Sequence, residues 1–153
     1  MPTPAKLVCA ILFAALAWYS ADTLVREALP EGVVVGKFRE WIALAGLIIG
    51  WKVIGKTCTG PTNKGTRISV AITSGIGGAV ILVLLGLFFH SAYATLNESL
   101  TSKYTEVGLA AEAWMEVMWK DAKIVSNPVA LVTLFGGAAV VGLIGGIVGR
   151  TLR

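Results

Sequence analysis

The stretch GWKVIGKT, Gly50 to Thr57, fits the phosphate-binding loop pattern G-x-x-x-x-G-K-[ST] position for position. Such a loop follows a strand, starts a helix at its last residue and turns its backbone N–H groups onto phosphate oxygens. That context is missing. WIALAGLII precedes it and reads as a membrane helix, and Trp51 to Ile54 continue the last turn of that helix. CTGPTNKG follows, too rich in turn residues to begin a helix at Thr57. No apolar strand ending in Asp is at hand for magnesium, and 18 glycines make an accidental match easy. Lys52 and Lys56 read instead as lysines snorkelling from a span end beside an interfacial Trp51, and no nucleotide is expected.

Three other residues have reactive side chains. Cys9 falls in the first apolar run and Cys58 in the connection after the second. They form no CxxC, and with one His in the chain they complete no metal set, so neither a disulfide framework, a zinc site nor a cofactor is expected. Cys58 is the thiol expected to meet water. Lys56, Lys64 and Arg67 around it would favour the thiolate, and a glycine-rich basic loop can turn N–H groups onto an anion. This oxyanion or thiol site is the one reactive grouping the sequence offers. A single cysteine lacks the partner that a thiol–disulfide cycle needs, so Cys58→Ser is expected to keep function and no enzyme is expected. His90, with no second His and no neighbouring carboxylate in sequence, reads as an interfacial polar residue rather than a ligand.

The elements that carry these residues follow from composition. Of 153 residues, 56% are hydrophobic and 14% charged, against about 25% charged in a soluble domain, and the mean hydropathy is +0.77. Four long segments hold almost no charge. The fold class expected is an all-α membrane protein, one integral domain over 1–153 with four transmembrane helices at about 4–21, 38–54, 68–89 and 129–148. Pro4 suits a first helical turn after Thr3, Trp18 and Tyr19 suit an interface, and Asn127-Pro128 opens the fourth span. The first run also has features of a cleaved signal, Lys6 and Ala15-Leu16-Ala17, but it continues through Trp18 and Tyr19, so it is read as retained.

The formal charge is +4, and the basic residues sit at span ends, which points to orientation rather than to nucleic acid. Lys6 at the N-terminus, Lys52, Lys56, Lys64 and Arg67 around the second connection, and Arg150 and Arg153 at the end have no acid among them. The other connections are mixed or acidic: Asp22, Arg26, Glu27, Glu31, Lys37, Arg39 and Glu40 in the first, and Glu98, Glu106, Glu112, Glu116 and Asp121 against three lysines in the third. Both termini and the second connection are expected in the cytoplasm.

No ionisable residue falls near the middle of a span, which counts against a pump or secondary transporter. A pore made by several copies, lined by residues such as Thr73 and Ser74, stays open. What the spans share is small residues at helical spacing: Gly46 and Gly50, Ser74 and Gly78, Gly75 and Ala79, Gly142 and Gly146, Gly145 and Gly149. In lipid, close backbone approach is what holds helices together. Internal packing of a four-helix bundle explains these pairs, and a homo-oligomer face on the fourth span is the alternative. In the third connection Val107, Ala111, Trp114, Met118, Ala122 and Val125 recur at helical spacing, which predicts an amphipathic helix over 105–123 with Glu116 and Lys120 as an i,i+4 pair. It would lie on the outer surface, cap the bundle or dock a partner.

The opening PTPAKLVCAILFAALAW, the LPEG at Leu29 to Gly32 followed by Gly36-Lys37-Phe38, and the GWKVIGK closing the second span resemble the TrgA family, small bacterial membrane proteins associated with tellurite resistance. The resemblance runs through the chain and is clearest before Arg67. It implies a bacterial inner membrane and a tellurite phenotype. It carries no catalytic motif, and it implies neither an enzyme nor a mechanism. Rival expectations are an accessory or assembly subunit of a larger membrane complex and an oligomeric channel or oxyanion exporter.

Overall fold

The computed structural model describes residues 3–28, 37–60, 67–100 and 107–151. Among them every element is a helix: α1 (Pro4–Ala28), α2 (Phe38–Ile49), a π-helical turn (Gly50–Ile54), α3 (Gly55–Thr59), α4 (Ile68–Leu100), α5 (Val107–Val125) and α6 (Pro128–Thr151). The π turn joins α2 to α3 without a break, and four helices are long and apolar enough to cross a membrane: Pro4–Glu27, Phe38–Thr59, Ile68–Leu100 and Pro128–Thr151. The chain has the architecture of a multi-pass membrane protein.

The helices run past the expected spans. α4 has 33 residues and so is about 50 Å long, against a hydrocarbon core of roughly 30 Å. α1 continues through Asp22, which the sequence reading put in a connection. The Asp22 carboxylate is buried and lies 2.8 Å from Arg26 Nε and 3.1 Å from Arg39 Nη2, tying the end of α1 to the start of α2. α6 starts as its sequence suggests: Pro128 takes the first helical position and Asn127 Oδ1 accepts the Val129 N–H at 2.9 Å.

The bundle closes on small residues. A side-chain carbon at Gly46 would sit 2.6 Å from Ala17 Cβ, and one at Gly50 would sit 2.6 Å from the Cys9 carbonyl, so α1 and α2 meet nearly backbone to backbone. On α4 and α6, Gly75 faces the Ala138 carbonyl, Gly142 faces the Ala71 carbonyl and Gly146 faces Ala71 Cβ. Gly78 receives the Ile49 and Ile54 side chains, and Gly149 lies against the Cys58 carbonyl and Ala5. The glycine stripe of α6 is therefore buried inside the chain. The last contact also puts the start of α1, α3 and the end of α6 at one end of the bundle, called here the termini end. Large apolar side chains such as Leu84, Phe89 and Val132 point outward, as expected of surfaces covered by lipid.

α5 packs on the part of α4 beyond the span. Trp114 Nε1 donates to Ser91 Oγ at 2.8 Å, and its ring meets Phe88 edge to face at 5.1 Å. Glu116 and Lys120 pair at 2.8 Å on the exposed side. Trp119 points away from the bundle, with Lys123 Nζ 5.7 Å from its ring centre.

Candidate functional site

The phosphate-loop match is helical from end to end. The backbone N–H of Gly55 reaches the Gly50 carbonyl, the i→i+5 bond of a π turn, and Thr57 Oγ1 donates back to the Val53 carbonyl at 2.8 Å. The stretch makes no loop that could wrap a phosphate. Its helix ends only at Gly60, whose φ of 70° is open to glycine at little cost and whose N–H caps the Lys56 and Thr57 carbonyls.

This continuation corrects the reading of Cys58. The residue is not in an open connection: it lies in α3, fully buried. The basic neighbours do not converge on it. Lys56 and Arg67 are exposed, and Lys64 lies outside the described residues. What does meet Cys58 is Cys9, also fully buried, whose sulfur faces the same point on α6. The Cys58 thiol donates to the Gly142 carbonyl at 3.8 Å, and the nearby Ser74 hydroxyl donates to the Ala71 carbonyl of its own helix at 2.8 Å. Gly145 on α6 faces both sulfurs: a carbon added there would collide with Cys9 Sγ and lie 3.0 Å from Cys58 Sγ. Both cysteines are free. The missing-partner argument, on which Cys58→Ser was expected to keep function, therefore falls.

The π turn creates this meeting. An α-helix turns about 100° per residue, so unbroken helix from Gly46 would set Gly50 about 40° and Cys58 about 120° around the axis. One extra residue in a wider turn subtracts about 100° and brings Cys58 back to about 20°, in line with the glycines that face α1. No spacing rule announces a π turn; its only trace in the sequence is that Gly50 and Gly55 bracket it, both against α1.

A second grouping sits at the far end of the bundle. A cavity of about 130 Å³ lies between all four spanning helices and the end of α5, lined by Leu82, Leu134 and Ile42 among others. His90, Asp121 and Ser20 form its polar margin. His90 does have a carboxylate neighbour, contrary to expectation: Asp121 Oδ2 lies 2.7 Å from Nδ1, 31 positions along the chain, and Phe38 packs edge-on against the imidazole at 5.5 Å. Ser20 Oγ is buried with no hydrogen-bond partner among the described residues. The space would take an apolar group about the size of benzene.

The described residues contain no cluster of three or more His, Cys, Asp or Glu that could hold a metal ion. No family model, no curated protein and no solved structure matches the chain.

Proposed function

We propose that this chain is a multi-pass protein of a bacterial inner membrane, with both termini in the cytoplasm, that contributes to tellurite resistance without being an enzyme. The observation that carries the phenotype is the resemblance of PTPAKLVCAILFAALAW, LPEG and GWKVIGK to the TrgA family. The orientation rests on Lys6, Lys56, Arg67 and Arg150, basic residues gathered near the termini end, with the acids Asp22, Glu40 and Asp121 at the far end. Its partner in this reading is the lipid bilayer, with neither nucleic acid nor nucleotide. A strain lacking the gene should grow poorly on tellurite and recover with a plasmid copy. Growth equal to the parent would sink the proposal.

A second reading, an accessory or assembly subunit of a larger membrane complex, is favoured by α5. Leu109, Met115 and Trp119 are exposed on a helix outside the four spans, where a partner could cover them. Purification in mild detergent from the complemented strain would then yield a stoichiometric larger partner. The oligomeric channel or oxyanion exporter has less support. Thr73, the pore-lining candidate, donates to the Ser69 carbonyl of its own helix at 2.9 Å.

A further inference from the structure

We propose that Cys9 and Cys58 form a two-coordinate thiolate site for a soft monovalent d10 cation, Cu(I) or its analogue Ag(I). The proposal stands on the geometry of the thiols and is independent of the tellurite reading.

The donor set selects the ion class. Two sulfurs arrive from different helices and face one buried point: a carbon added at Gly145 would collide with Cys9 Sγ and lie 3.0 Å from Cys58 Sγ. Thiolates favour soft cations such as Cu(I), while carboxylate and carbonyl oxygens favour hard ones. Among the described residues no carboxylate or imidazole joins the pair in a cluster of three, so a tetrahedral ion such as zinc finds half its ligands there. A d10 monovalent ion needs only two sulfurs.

Two further observations set the pair apart from thiols that merely fill a core. The first is the π turn, which re-aims Cys58 onto Cys9; turns of this kind occur often at functional sites. The second is Gly145, which leaves the facing position on α6 without a side chain, so that the sulfurs occupy that space. Binding would release two thiol protons and move no electrons: two S–H bonds break, two metal–sulfur bonds form, and the product carries one negative charge. Lys6 lies one turn before Cys9 on α1, where its stem passes Gly55.

The test uses the full chain in detergent, with thiols reduced and oxygen excluded. Cu(I) is titrated in competition with a chromophoric Cu(I) chelator. The wild type should withhold one equivalent from the chelator, and Cys9→Ser, Cys58→Ser and the double variant should each lose it. Loss of all copper to the chelator by the wild type overturns the proposal. So does a single variant that retains wild-type affinity, or a double variant that does so through exposed sulfur such as Met115. If the variants fail to fold, X-ray absorption of the copper-loaded wild type decides. Two sulfur neighbours support the site, and a third donor or any nitrogen or oxygen neighbour overturns it.

Discussion

A single added carbon distinguishes the glycines of α6. At Gly145 it would collide with Cys9 Sγ, whereas at Gly136, on the exposed side of the same helix, it would meet nothing within 4 Å. Overpacking a tight site costs about 1–3 kcal/mol, while glycine in the middle of a helix gives up about 0.5–1 kcal/mol relative to alanine. Gly145→Ala should lower the midpoint of thermal unfolding in detergent, and Gly136→Ala should leave it unchanged or raise it. Equal midpoints would mean that the thiols yield freely. The sequence marked Gly142, Gly145, Gly146 and Gly149 as small residues at helical spacing but left open whether they face the chain or a second copy. That choice depends on which helices become neighbours, and spacing within one helix does not encode it. Cys9 beside Cys58 was illegible for the same reason, compounded by a π turn that shifts the register between Gly46 and Cys58.

At the scale of elements, the four long apolar helices were plain from charge and length alone, because a membrane demands both. Their ends were not. The reading closed α1 at Ala21 and the third span at Phe89, since Asp22 and His90 look like residues at the edge of water. Each continues in a helix because a partner elsewhere in the chain receives it, Arg39 for Asp22 and Asp121 for His90. α5 was legible as an amphipathic helix. Its docking was not, because that depends on the overhanging turns of α4. Ser91→Ala would leave Trp114 Nε1 without its acceptor and should weaken the seating of α5 by about 1 kcal/mol. Hydrogen exchange should then show amides 107–125 opening about fivefold more often, with the amides of α6 unaffected. Unchanged exchange in α5 would show that the Phe88 contact alone holds the helix.

For the whole molecule, orientation is the property on which the proposed function depends. A native thiol cannot report it, because Cys9 and Cys58 are both fully buried and would resist labelling from either side. Lys56 is exposed at the termini end, so Lys56→Cys supplies a reporter. In intact spheroplasts an impermeant maleimide should leave Lys56→Cys unmodified, and lysis should expose it to modification. Labelling before lysis would invert the bundle and move both termini outside. The same variant serves the phosphate-loop question, since a nucleotide site would lose its lysine whereas a snorkelling residue would not be missed.

The turn between Gly50 and Ile54 has a genetic corollary. Deleting one codon there would leave the hydropathy profile, the span count and every cysteine in place, and ordinary helix could close over the gap. By the same geometry Cys58 would then lie eleven ordinary helical steps from Gly46, again at about 20°, and would still face Cys9. One further residue inserted as ordinary helix would instead swing Cys58 by about 100°. The inheritable character is therefore the facing of the two thiols, and lineages under selection for it should accept loss of the extra residue more readily than gain of another.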